Sequence, residues 1–189
     1  MRPHPSTEVR CWPIVLSVFM MACASTPHVL VSRFSQEYFS SRSGSLRYRL
    51  PDGWLNSTND APSSDVLIWL VRADFAAMLS VREVMIDEET RSVITRSGLE
   101  RLGDLTLSLP SSSKGISVVQ RPTLSTIAGL KACWYDYAET GSGDRVHIIL
   151  MDTGKKVYEV STRMTSKVGE EATKEVVLLA AAFAEKVLW

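Results

Sequence analysis

Leu46, Tyr48 and Leu50 alternate with Arg47 and Arg49, the period-two pattern of a strand with one buried face. Pro51-Asp52-Gly53 stops that strand and turns it, and Trp54 follows as a core anchor. The run DVLIWLVR (65–72) is apolar at almost every position, so it reads as a strand covered on both faces. A third strand is expected over 76–86, AAMLSVREVMI, with 73–76 as the connection.

The period then changes. Asp87 is suited to cap a helix, and Glu88 and Glu89 fall in a first turn where the helix dipole favours negative charge. Ile94, Gly98, Leu102, Leu105 and Leu109 recur at three- and four-residue spacing, which predicts one helix ended by Pro110 and the serines 111–113. Strands return at GISVVQR (115–121), before Pro122, and at GLKACWYDYAET (129–140). GSGD (141–144) turns into RVHIILMD (145–152), and TGK turns into KVYEVSTRM (156–164). Three strands joined by short glycine-containing turns predict an antiparallel meander. A last helix over 169–188 puts Val176, Leu179, Ala180, Phe183 and Val187 on one face and spaces Glu170 and Lys174 as an i,i+4 pair. The order β-β-β-α-β-β-β-β-α is an α+β pattern, in which two main helices cover one or both faces of an antiparallel sheet. No internal repeat interrupts it.

The chain opens differently. Residues 11–22 are largely apolar and contain Pro13, too short a run to span a bilayer, which takes about 20 residues. Arg2 and Arg10 precede the run and small residues end it, as in a secretory signal. The break reads Met20-Met21-Ala22-Cys23 and resembles the lipobox of bacterial lipoproteins, with Met20 where leucine is usual. That resemblance implies cleavage before Cys23, a diacylglyceryl group on its thiol, and acylation of the new amino group. Acyl burial is worth about 0.8 kcal/mol per CH₂, so two or more chains anchor stably where one holds marginally. Ala24 lacks the aspartate of inner-membrane retention, which favours the outer membrane in a cell with two membranes. The expected layout is a signal peptide over 1–22, a lipidated Cys23 and serine-rich tether over 23–44, part of which could dock as a short strand or helix, and one domain over 45–189.

Composition narrows the partners. Twenty-one basic and 21 acidic residues give zero formal charge, without the basic footprint of a nucleic-acid binder. With Cys11 in the signal and Cys23 lipidated, Cys133 stands alone and reads as a buried strand residue rather than a reactive thiol.

YRLPDGWL opening the domain, GLKACWYDY on a central strand, and KKVYEVST leading to a terminal helix ending AAFAEKVLW resemble, in order and spacing, the PsbP-like family. Photosynthetic extrinsic proteins, the Ran-release factor Mog and DcrB-type bacterial lipoproteins share that fold. The resemblance covers roughly 45–189 and implies an α/β/α sandwich with a docking or assembly role. It carries over no catalytic or metal-binding residue.

Residue chemistry points the same way. His147 alone among the histidines lies in the domain, no convergent ligand spacing surrounds it, and it reads as a satisfied or surface histidine rather than a metal ligand. GSGD is followed by a strand, which makes it a hairpin turn rather than a phosphate loop. Asp60, Asp65, Asp87, Glu88 and Glu89 show no calcium-loop spacing, and no G-x-S-x-G elbow is present. Aromatic residues are the remaining resource: Trp134 and Tyr135, Tyr137 and the terminal Trp189 are candidate partner-contacting residues if a face is uncovered. The expectation is therefore a lipid-anchored, non-enzymatic envelope protein, without cofactor or metal, that docks a protein partner. The alternative is a carrier holding a small apolar ligand or ion between sheet and helix. Cys23→Ser is expected to abolish palmitate labelling and to release the protein from the membrane fraction; persistent labelling would refute the anchor.

Overall fold

The computed structural model describes residues 33–113 and 115–189, so the leader and Cys23 lie outside the described residues. Within them, nine strands and three α-helices follow in the order β1 (Phe34–Ser40), β2 (Arg47–Pro51), β3 (Trp54–Asn56), β4 (Val66–Arg72), β5 (Ala77–Val84), α1 (Glu88–Ser97), α2 (Leu99–Ser113), β6 (Ile116–Ile127), β7 (Leu130–Glu139), β8 (Arg145–Asp152), β9 (Val157–Met164) and α3 (Glu170–Lys186). β3 to β9 form one antiparallel sheet in the order β3-β4-β5-β9-β8-β7-β6, while β1 and β2 make a separate two-stranded ribbon. The meander read from the two glycine turns is β7-β8-β9, its register unbroken from Lys131↔Asp152 to Ala138↔Arg145.

Alternation divides the sheet's side chains between two cores. On one side Ile68, Leu70, Leu79, Val81, Ile149, Met151 and Val160 pack with Leu46 and Tyr48 of the ribbon and Val176, Ala180 and Phe183 of α3. On the other, Cys133, Tyr135, Ile148 and Leu150 pack with Ile94, Leu99 and Leu102 of α1 and α2. The domain is an α+β sandwich with helices on both faces. Each fully buried large apolar side chain contributes on the order of 1.5–3 kcal/mol.

Three local readings change. The single helix expected over 88–109 breaks at Gly98, whose φ of +85° only glycine adopts without strain, and Gly98 N–H still closes α1 on the Ile94 carbonyl at 2.9 Å. α2 runs on past Pro110 to Ser113. β6 continues through Pro122 to Ile127, because β6 is an edge strand with shifts of register around Gln120, where a missing N–H costs no ladder bond. Asp87 caps α1 as read, accepting from Thr90 N–H at 2.7 Å, and Lys174 pairs with Glu170 at 3.2 Å. β1 comes from the serine-rich stretch and pairs with β2, so the folded unit already includes Phe34.

α2 sits unusually close to the sheet at Gly103. A Cβ there would meet Pro122 Cβ at 2.9 Å and Cys133 Sγ at 3.3 Å. Alanine gains about 1 kcal/mol of helix propensity over glycine, but a forced contact in a packed core costs about 1–3 kcal/mol. Gly103→Ala is therefore expected to lower the urea midpoint. A higher midpoint would show that α2 can lift from β6 without cost.

Candidate functional site

On the α3 side of the sheet, register sets Asp136 (β7), His147 (β8) and Thr162 (β9) directly opposite one another. All three are buried, and His147 sits inside a run of six buried residues on β8. His147 Nδ1 lies 2.5 Å from Asp136 Oδ1, and Arg145 donates to Asp136 Oδ2 at 3.1 Å. Burial opposes ionisation of Asp136, but the hydrogen bonds from His147 and Arg145 outweigh it and hold the carboxyl below its ordinary value. An ionised carboxylate only accepts, so His147 Nδ1 carries the proton. Nε2 has no hydrogen-bond partner among the described residues. Arg145 Nε and Thr162 Oγ1 are buried without partners among those residues.

Beside it, between α3 and the sheet, lies a cavity of about 310 Å³. Trp134, His147 and Ile149 line it from the strands, and Val177, Leu178 and Ala181 from α3. The Trp134 and His147 rings are tilted against each other, 5.9 Å between centroids. A larger groove of about 500 Å³ runs between the α1–α2 elbow and the β6–β7 hairpin, past Gly98, Leu124 and Lys131. Its half-buried carboxylate, Asp152, is already taken by Arg91 at 2.8 Å.

The opposite side of the sheet is covered unevenly. α2 packs over β6, β7 and β8, and among the described residues no helix packs closely on β4 or β5 from that side. Of the cross-strand neighbours on this face, Leu55 is exposed, and Val71, Met78 and Trp69 are half-buried. Residues 66–72 have no exposed side chain, as read, but Trp69 and Val71 on this face are only half-buried whereas Ile68 and Leu70 on the other are fully buried. At the same end of the sheet the β4–β5 turn presents Phe75, 72% exposed and held at a φ of +59°. A bulky residue is rarely found there and costs about 1–2 kcal/mol in doing so. The turn is braced: Phe75 N–H donates to Arg72 O at 2.8 Å, and Asp74 accepts from Arg72 Nε at 2.7 Å and from Ala76 N–H at 3.0 Å. The hydrogen bond from Arg72 pulls the Asp74 carboxyl down to about 2.

The aromatic residues singled out in the sequence do not share one surface. Tyr135 is 2% exposed and exchanges a 2.8 Å hydrogen bond with Thr106 of α2. Tyr137 is half-buried on that same side, while Trp134 lines the α3 cavity. Trp189 stacks obliquely on Tyr158 at 5.0 Å and donates its indole N–H to the Ala184 carbonyl at 3.1 Å. Cys133 is buried in the α2-side core, and burial pushes its thiol up to about 11. Among the described residues no three ligating side chains converge as a metal site. Among them, too, no helix is long and apolar enough to cross a membrane. Sequence reasoning passed over the pairing of Asp136 with His147, and it passed over Phe75 altogether.

The buried pair makes a prediction with a definite sign. A carboxyl held below its unfolded value adds stability above about pH 4 and loses it as pH falls through the lower folded value. Asp136→Asn should cost about 2–3 kcal/mol at neutral pH, because His147 and Arg145 lose a charged partner. In urea unfolding the gap to the parent should narrow at pH 3; an equal gap at both pH values would show that Asp136 is not ionised in the fold.

No protein-family model matches the chain, and no curated protein matches it in sequence. Solved structures do match its fold. PsbP (CyanoP) from Synechocystis sp. PCC 6803 aligns at a TM-score of 0.54 and 13% identity over 87% of this chain and 97% of that one. The Ran-binding protein Mog1p of Saccharomyces cerevisiae aligns at 0.55 and 9% over 82% and 95%. A point mutant of Mog1 aligns at 0.53 and 11% over 80% and 94%. Strand order, the placement of helices on both faces and these alignments agree: residues 33–189 have the PsbP-like fold shared with CyanoP and Mog1.

Proposed function

We propose that the chain is a lipid-anchored, non-enzymatic envelope protein whose domain docks a protein partner through the uncovered half of its sheet. The observation that carries this reading is Phe75, an exposed aromatic ring kept on a strained, braced turn at the end of an apolar sheet face. Strain in a bulky exposed residue contributes nothing to folding, and backbone strain concentrates where a surface is used. The strands that meet at the Phe75 turn carry Met78, Val71 and Trp69 on one face, with Leu55 beside Val71, aromatic and apolar residues of the kind enriched at the centres of interfaces. The charges around them are fixed: Arg82 pairs with Glu159 at 2.9 Å, and Arg163 with Asp144 at 3.1 Å and with Glu139. Such a rim gives register and selectivity more than affinity. Mog1p, of the same fold, is a Ran-binding protein, which accords with a partner-binding use. Anchorage through Cys23 would hold the domain at the membrane, outside the cytoplasm, on the periplasmic side of the outer membrane where there are two.

Two substitutions separate docking from stability. Phe75→Gly removes the ring and relieves the φ of +59°, so the folded state should lose no stability and could gain up to about 1 kcal/mol. A photo-cross-linking residue at position 55 or 78, introduced in intact cells, should trap a discrete adduct, and one at the exposed Glu171 of α3 should not. Phe75→Gly should reduce the adduct at least tenfold with an unchanged or raised melting temperature. Equal trapping from both faces, or full trapping in the glycine variant, would refute the docking face.

A further inference from the structure

The α3 cavity has no part in docking, since it opens on the other side of the sheet. We infer that it is a small-molecule site for a ligand with a compact apolar body and a hydrogen-bond-donor head, a hydroxyl or an amine, bound at His147 Nε2. The first support is shape and lining. About 310 Å³ lies within the range of small-molecule sites, and six of the residues around it (Ile127, Trp134, Ile149, Val177, Leu178 and Ala181) are apolar. The second is an unused polar atom. His147 is 3% exposed, lines the cavity, spends Nδ1 on Asp136, and has nothing bonded to Nε2 among the described residues. Nε2 is open to the cavity, whose wall also carries Ser125 and Thr126, and it is placed to receive a ligand's polar group.

Geometry decides which head fits: His147 Nδ1 is held by Asp136, whose other oxygen is taken by Arg145, so the ring meets the cavity with Nε2. The neutral ring, with its proton on Nδ1, offers a lone pair at Nε2 and therefore takes a donor. Asp136 acts as a positioning residue: its hydrogen bond fixes the tautomer and the plane of the ring. Trp134, in contact with that ring, and the α3 residues Val177 and Ala181 are left to hold the body of the ligand. Glu185, also on the lining and exposed at its rim, disfavours an anionic head.

The probes are naphthalene derivatives, which have the size for such a cavity and differ only in the head. 2-Naphthol donates and accepts, 2-methoxynaphthalene only accepts, and naphthalene does neither. With the full chain in detergent and the imidazole signals of His147 followed by NMR, 2-naphthol should shift those signals and bind about tenfold more tightly than either other probe, the worth of one net hydrogen bond. His147→Phe should abolish the preference while still binding all three. Ala181→Phe, which fills the cavity from α3, should abolish binding of all three while the protein still unfolds cooperatively on heating. Equal affinity for the three probes, a preference for the methoxy compound, or 2-naphthol binding that survives Ala181→Phe would overturn the inference.

Discussion

The structure depends on β8 being buried on both faces along six consecutive residues, Val146 to Met151. A strand in that position must find two cores, and alternation supplies them: Val146, Ile148 and Leu150 go to the α1–α2 side, and Ile149 and Met151 to the α3 side. Neither helical layer is optional once such a strand exists. The same constraint fixes what happens to the single histidine in the run. His147 is 3% exposed, so its Nδ1 edge is met from within the sheet, and the cross-strand residue is Asp136. Asp136 in turn draws Arg145, two residues before His147 on the same strand face. A burial requirement on one strand thus produces a buried charged cluster beside strands that α3 leaves incompletely filled.

Much of this was legible in the residues. The meander, the Asp87 cap and the terminal helix stripe all follow from local rules: glycine turns, capping chemistry and a period of 3.6. Even the histidine pairing was within reach. The GSGD hairpin pairs positions whose numbers sum to a constant, and Ala138↔Arg145 already implies Asp136↔His147. What sequence could not supply was the extent of each layer. The stripe through Ile94, Gly98 and Leu102 is a good helical pattern across a point where the backbone turns sharply, because a glycine in register with a stripe is silent about its φ. Pro122 looks like a strand end until the strand is known to be an edge. β4 reads as doubly buried from composition alone, yet one of its faces is only half-buried, since nothing in the pattern of a strand records how far a helix on another strand reaches. Phe75 was passed over for the same reason: exposure and a positive φ are tertiary facts.

The two sides of the sheet end up with different characters. Toward α3, nearly every apolar residue of β4, β5 and β9 is covered by the β1–β2 ribbon and by Phe183, and what remains is an open-mouthed cavity with Ser125, Thr126 and His147 on its wall. Toward α1 and α2, the short hairpin of helices, held against Asp152 by Arg91 and close to the sheet at Gly103, stops over β8. An uncovered apolar face costs a soluble domain aggregation resistance, and the short, three-residue edge strand β3 is the compensation on that side.

Stability does not explain the Asp136–His147–Arg145 cluster. Buried ion pairs return little net free energy after desolvation, and well-packed apolar residues of similar volume hold a sheet as well or better. Here the pair also leaves Arg145 Nε and Thr162 Oγ1 without partners among the described residues, at a cost of about 1–3 kcal/mol for each such group. An apolar residue at 147, continuing the run on either side of it, would have closed the α3 core at lower cost. The cluster makes physical sense once His147 is required to present one nitrogen to the cavity. Asp136 then orients the ring, Arg145 balances the charge, and the polar atoms left over are the consequence of building an acceptor into a wall that burial alone would have made apolar.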